Sequence, residues 1–148
     1  MKTNLIILLC SVAYALGDEV SDAIKDIVNN HNYRYVTFTV NDSATALKVE
    51  KKGDKSESLV DFINQLTNSE PRYFIYDFEY ESNGSNKQRF LGICWAPDTS
   101  SIKRKMQYSS AVNVFKSAVK DVTGLRLVYA TDVFELDYNS LFHIAERI

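Results

Sequence analysis

The stretch WAPDTSSIKRKMQYSS, residues 95–110, carries the strongest structural signals in this sequence. Its first half predicts a turn from a strand into a helix, because Pro97 restricts the backbone and the Asp, Thr and Ser side chains that follow can cap exposed N–H groups. Its second half places Lys103, Arg104 and Lys105 in the first helical turn. Cations there oppose the positive end of the helix dipole, at a cost of a few tenths to about 1 kcal/mol each. Because these cations oppose the stability of their own helix, their presence indicates that they have a function.

Two interpretations of this helix start are open. Three adjacent cations are most often a solvated charge run, whereas their position beside a rigid Pro-Asp turn favours a binding surface. Met106 and Tyr108 lie among the same residues. They either pack inward or form the apolar centre of an interface whose rim is Lys103 and Lys105.

The composition around this stretch is that of one globular domain. The chain has 148 residues, of which 45% are apolar and 12% aromatic, and this is enough material for a single hydrophobic core. No internal repeat, low-complexity segment or linker divides it. The formal net charge of −2 argues against general nucleic-acid binding, because that affinity depends on many Lys and Arg side chains.

Hydrophobic periodicity predicts hairpins that alternate with helices along the chain. The predicted helices cover residues 18–28, 57–66, 101–122 and 139–147. The predicted strands cover residues 33–40, 46–51, 72–80, 89–95 and 126–130. A turn over residues 82–86 joins the two central strands. The order α-ββ-α-ββ-α-β-α predicts an α/β or α+β fold with a central mixed sheet whose faces are covered by helices.

The N-terminus has the layout of a secretory signal peptide. Lys2 precedes an apolar run over residues 5–12, and Ala13-Tyr14-Ala15 has the A-x-A form of a cleavage site. The run is shorter than the roughly 20 residues that span a bilayer. We expect either a leader over residues 1–15 that precedes a domain at 16–148, an N-terminal helix packed on the domain, or a wrongly assigned start.

No sequence pattern indicates a metal, cofactor or catalytic centre. Cys10 and Cys94 lack the CxxC spacing of a redox or metal site, and His31 and His143 stand in no ligand cluster. Residues 100–103 satisfy the S-x-x-K pattern of serine acyl-transfer enzymes, but the companion motifs are missing. We therefore predict a protein that is not an enzyme and that uses neither a cofactor nor a metal.

The stretch at 95–110 resembles the motif of the ADF/cofilin family. Three further segments share the resemblance, at residues 33–36, 76–80 and 130–132, so that it covers about residues 16–148. It implies an ADF-homology fold, with a mixed sheet of five to six strands flanked by helices on both faces. It also implies a cytoplasmic protein of the actin cytoskeleton that binds actin monomers and filaments and promotes filament depolymerisation and severing.

The resemblance also implies two sets of binding residues. The candidates for actin contact through the long helix are Lys103, Lys105, Met106, Tyr108 and Lys116. The candidates for contact with the filament side are Lys87, Arg89 and Arg147. We expect a monomer whose partners are actin and, at the cationic helix start, phosphoinositide headgroups, and we expect no nucleic-acid partner.

The sequence departs from the family pattern at three places on its binding surfaces. His143-Ile144 stands where the family commonly has a Glu-Arg pair, and Val112 replaces a common lysine. Ser117 follows Lys116 where a second base is common. The departure at His143-Ile144 favours weaker filament-side binding and severing. The thinner cationic patch at Val112 and Ser117 favours lower affinity for actin or phosphoinositide headgroups. The alternative function is an interaction module of the same fold that has lost filament remodelling and binds another partner, in the secretory pathway if residues 1–15 act as a signal peptide.

Overall fold

The computed structural model describes residues 18–66 and 70–147. Five strands in these residues form one sheet: β1 Tyr33–Val40, β2 Leu47–Asp54, β3 Arg72–Ser82, β4 Ser85–Trp95 and β5 Arg126–Ala130. Their order is β2-β1-β3-β4-β5. All neighbours pair antiparallel except β4 and β5, which run parallel. The predicted mixed sheet and α+β class are confirmed, while the predicted leader over residues 1–15 lies outside the described residues.

Helices cover both faces of the sheet, as predicted. They are α1 Asp18–Val28, α2 Leu59–Asn64, α3 Ile102–Ser110, α4 Val112–Val119 and α5 Tyr138–Glu146, together with a 3₁₀ helix at Val133–Leu136. Successive residues of a strand point to opposite faces. In β3, Tyr73 and Ile75 therefore join a core under α1, α3 and α4, whereas Phe74, Tyr76 and Phe78 join a core under α2, α5 and the 3₁₀ helix. None of the helices in the described ranges is long and apolar enough to cross a membrane.

The hairpin between β3 and β4 is tighter than the turn predicted over residues 82–86. Asn83 and Gly84 alone form the loop, with φ values of 53° and 78°, and Ser82 already pairs with Ser85. Positive φ at both loop positions is the type I′ geometry that Asn-Gly favours in two-residue hairpins. β4 therefore begins four residues before the predicted position 89, and Lys87 lies on a paired strand.

The prediction of one continuous helix over residues 101–122 is wrong. The helix is interrupted at Ala111, where φ is −90° and ψ is 1°, and α4 ends at Val119. Ser109 and Ser110 precede the interruption, and serine weakens a helix interior because its hydroxyl competes for backbone hydrogen bonds. The Ala111 carbonyl accepts hydrogen bonds from the next turn, so the chain resumes its helical path at once.

The second predicted helix is also shorter than the expected range of 57–66. It begins after Ser58, whose hydroxyl accepts from the Asp61 amide while the Asp61 carboxylate accepts from the Ser58 amide. This reciprocal capping box fixes the start of α2. Phe62 is the fully buried anchor of α2 in the second core.

Candidate functional site

The connection from β4 to α3 follows the predicted turn and cap. The Ser100 amide donates to the Pro97 carbonyl at 3.0 Å, and the Ser101 hydroxyl accepts from the Arg104 amide at 3.2 Å. The Ala96 amide donates to the Ala130 carbonyl of β5 at 2.9 Å. The start of α3 is therefore held in a fixed position beside the end of the sheet.

Arg104, the middle cation of the run, is engaged inside the molecule. Its Nε lies 3.0 Å from the Glu70 carboxylate, and its Nη1 donates to the Gln107 side chain at 2.8 Å. The guanidinium also lies over the Tyr108 ring, 5.3 Å from its centroid. Arg104 therefore stabilises the helix start, and its charge is already paired within the molecule.

The two lysines beside it are more accessible. Lys105 is half-buried and its Nζ donates to the Asp98 carbonyl at 2.9 Å, a bond to a neutral acceptor that leaves its charge unbalanced. Lys103 is exposed. It forms no hydrogen bond or ion pair with any residue in 18–66 or 70–147. Lys103 is consequently the cation of this run that is free to meet a partner.

An exposed apolar pair accompanies Lys103. Ile102 is 76% exposed and Met106 is 64% exposed, and residues four apart lie on the same side of a helix. Large apolar side chains with a cation beside them have the composition of an interface centre and its rim. Sequence reasoning did not include Ile102 among the binding residues. Its exposure was predictable, because Ile102 does not share the helical spacing of the core residues Tyr108, Ala111 and Phe115.

Tyr108, a predicted actin contact, lies in the core instead. Its side chain is 3% exposed, and its hydroxyl accepts from the Val40 amide of β1 at 3.2 Å. Its backbone carbonyl accepts from the Tyr73 hydroxyl. Of the two arrangements that the sequence left open, Tyr108 packs inward and Met106 points outward.

Lys116, the remaining candidate on the long helix, is exposed on α4. It lies near the buried thiol of Cys94, where burial raises the pKa to about 12 and the Lys116 charge opposes the shift. The thiol is therefore protonated and unreactive at neutral pH.

The predicted filament-side cations come together at the C-terminal end of α5. Lys87 Nζ lies 3.5 Å from a carboxylate oxygen of Glu146. That carboxylate also accepts from the Tyr80 hydroxyl at 2.8 Å and from the Ser82 hydroxyl at 3.0 Å. The hydrogen bond from Tyr80 lowers the pKa of Glu146 below its usual value. Glu146 was not predicted as part of this surface.

Arg89 has an internal role as well. Its Nε donates to the Ala145 carbonyl and its Nη1 to the Gly124 carbonyl, each at 3.2 Å. Arg147 is exposed, and its backbone carbonyl accepts from the Arg126 guanidinium. The structure thus brings the three predicted cations together, but Lys87 and Arg89 already have partners within the molecule.

The departure at His143-Ile144 has a structural explanation. His143 is exposed, whereas Ile144 is half-buried and packs against the second core. Ile144, which stands where the family commonly has Arg, therefore contributes to packing.

No group of three or more His, Cys, Asp or Glu side chains in residues 18–66 and 70–147 is placed to hold a metal ion.

Comparison with known proteins agrees with this architecture. The sequence profile of the family described as cofilin/tropomyosin-type actin-binding protein matches residues 13–143. The chain therefore belongs to this family, whose members are actin-binding proteins and not enzymes.

Individual relatives match over nearly their whole length. Actophorin from Acanthamoeba castellanii is 33% identical over 134 residues, which cover 90% of this chain and 95% of actophorin. Actin-depolymerizing factor 8 from Arabidopsis thaliana is 29% identical over 123 residues, which cover 82% of this chain and 86% of that protein. The crystal structure of Streptomyces griseoflavus cofilin aligns with a TM-score of 0.77 and 28% identity, over 89% of this chain and 96% of that one.

Proposed function

We propose that this protein binds actin monomers and filaments and promotes filament depolymerisation and severing, with the start of α3 as its main actin contact. The observation that carries the proposal is the exposed surface formed by Ile102, Lys103 and Met106 on a member of an actin-binding family. Lys105 and Lys116 lie along the same pair of helices and extend this surface.

The α3 start has the physical properties of an interface anchor. Binding energy usually concentrates in a few large side chains at the centre of a contact, with polar residues at its rim. The Ser101 cap and the internal bonds of Arg104 hold the helix in place before a partner arrives. Such preorganisation reduces the entropy lost on binding.

Lys87, Arg89 and Arg147 form the proposed filament-side contact. Arg147 is exposed and Lys87 is partly exposed, while Arg89 supports the end of α5 through its carbonyl bonds. The internal bonds of Lys87 and Arg89 support a filament contact that is weaker than the monomer contact.

The proposal includes the remaining predicted properties. Lys103 and Lys105 at the α3 start, with Lys116 nearby, have the charge to bind phosphoinositide headgroups, because basic side chains recognise anionic lipids. We propose a cytoplasmic monomer of the actin cytoskeleton whose domain begins near residue 16.

Co-sedimentation of the full chain with actin filaments tests this function, with both proteins quantified in pellet and supernatant. We expect the protein to pellet with filaments or to move actin into the supernatant. A parallel assay with fluorescently labelled actin monomers separates the two binding modes. Binding to monomers without any effect on filaments would identify the alternative, a module that has lost filament remodelling. Absence of both activities would contradict the proposal.

A further inference from the structure

We infer that Glu146 restrains the filament-side surface by holding Lys87, and so sets how strongly this protein binds filaments relative to monomers. The inference rests on the proposed function, in which Lys87 contacts the filament side. It assigns Glu146 a positioning and charge-balancing role, without direct contact to actin.

The geometry places the carboxylate where it can act on Lys87. Lys87 pairs with Tyr80 across the β3–β4 hairpin, and the Tyr80 hydroxyl donates to Glu146 Oε2 at 2.8 Å. Ser82 donates to the other oxygen, Oε1, at 3.0 Å. Two neutral donors therefore fix the carboxylate beside the hairpin, with Oε2 3.5 Å from Lys87 Nζ.

The charge of Glu146 is maintained at neutral pH. The hydrogen bond from Tyr80 favours the ionised carboxylate, and this lowers the pKa of Glu146. Lys87 therefore faces a full negative charge. An acidic surface on a partner would have to compete with that charge for Lys87.

Glu146 differs from the other acids near the hairpin in its position relative to Lys87. Glu79 and Glu81 of β3 are exposed, but they lie opposite Gln88 and Asn86, which alternate with Lys87 along β4, so their side chains point to the other face of the hairpin. The nearby Arg89 is bonded to two carbonyls. Glu79 is also paired with Arg34 and Lys55. Glu146 is therefore the acid that balances the charge of Lys87.

The substitution Glu146→Gln tests the inference in the full-length protein. Glutamine has the same shape, retains an oxygen acceptor for Tyr80 or Ser82, and removes the charge. We expect filament affinity in co-sedimentation to rise by roughly two- to fivefold, the range of one partly exposed ion pair. Monomer affinity and the thermal unfolding midpoint should remain close to those of the wild type. Glu146→Ser provides a second variant, since serine is uncharged and too short to reach Lys87.

A double-mutant cycle with Lys87→Ala separates this role from a structural one. Lys87→Ala should lower filament affinity in the wild type, because it removes part of the filament-side contact. It should also abolish the gain from Glu146→Gln, so that the double variant binds filaments no better than Lys87→Ala alone. Filament binding by Glu146→Gln should also depend more steeply on salt, because one more exposed cation takes part. Tyr80→Phe is the matched control, since it removes a hydrogen bond to Glu146 and keeps the charge, and it should give no gain.

The outcomes distinguish this inference from the proposed function. Unchanged or reduced filament affinity in both Glu146 variants, with monomer binding intact, would overturn the inference alone. A gain that persists in the Glu146→Gln/Lys87→Ala double variant would overturn it too, because Lys87 would then have no part in the effect. A wild-type protein that binds neither monomers nor filaments would contradict the proposed function, and the inference would fail with it.

Discussion

Two basic surfaces of this molecule differ in what their cations already bind. At the start of α3, Lys103 is exposed and has no partner among the described residues. At the C-terminal end of α5, Lys87 contacts Glu146 and Arg89 donates to two carbonyls. Lys103 is therefore available for binding at one surface, whereas Lys87 and Arg89 already have partners at the other.

The helix dipole explains part of the difference. Cations near the C-terminal end of a helix are favourable because they meet its negative end and its free carbonyls, as Arg89 does at α5. Cations at the N-terminal end are unfavourable, as Lys103 is at α3. The α5 end is arranged for stability, whereas the α3 start retains a feature that is unfavourable for stability and useful for binding.

The largest expected effect comes from removing the two lysines at the α3 start. In the double variant Lys103→Ala/Lys105→Ala, we expect actin-monomer affinity to fall at least thirtyfold, about 2 kcal/mol. Thermal unfolding should change little, because Lys103 is exposed and Lys105 contributes a single hydrogen bond to the Asp98 carbonyl. Lys25→Ala/Lys48→Ala removes two exposed lysines elsewhere and should bind monomers like the wild type. Equal losses in the two double variants would show that net charge, not position, governs binding.

The second expected effect concerns the opposite surface. Arg89→Ala should lower the free energy of unfolding by about 1–2 kcal/mol, because two carbonyls lose a charged donor. Arg147→Ala should change it by less than about 0.5 kcal/mol, as is usual for exposed side chains. Urea denaturation of the two variants measures both values. Similar stabilities for the two would show that Arg89 is not a structural residue.

Hydrophobic periodicity predicted most helices and strands correctly, because it depends on the spacing of apolar residues that are close in sequence. The bounds of β1, α1 and β5 are those expected. The interruption at Ala111 was missed because apolar residues continue at helical spacing through it, and only the preceding serines signal it. The 3₁₀ helix at Val133–Leu136 depends on the capping box of Asp132 with Glu135, which was not recognised.

Whether the binding residues are exposed, buried or already paired was harder to predict from the sequence. The Lys87–Glu146 and Arg89–Ala145 contacts join residues 59 and 56 positions apart, so they exist only once α5 packs against the hairpin. The burial of Tyr108 was different, because its helical spacing to Ala111 and Phe115 could have predicted it.

A third prediction separates the buried and exposed parts of α3. Tyr108→Phe should lower the free energy of unfolding by about 1 kcal/mol, because the buried Val40 amide loses its acceptor. Its monomer affinity should match the wild type once folding is accounted for. Met106→Ala should show the reverse pattern, with unchanged stability and a fewfold loss of affinity. A loss of affinity in Tyr108→Phe that equals the loss in Met106→Ala would contradict the assigned positions.

The smallest expected effect tests the dipole argument. Lys103→Glu should raise the free energy of unfolding by a few tenths to about 1 kcal/mol at low salt, since an acidic residue suits the helix start. The gain should diminish as salt is added, while monomer binding is lost. A destabilised variant would show that Lys103 has a structural role after all.

The most direct test of the central claim is acetylation footprinting of lysines in the full chain, read by mass spectrometry with and without actin monomers. The exposed lysine at the α3 start should react severalfold more slowly in the complex, and Lys25 and Lys48 should react at unchanged rates. If Lys103 is acetylated equally fast in free and actin-bound protein, the start of α3 is not the actin contact.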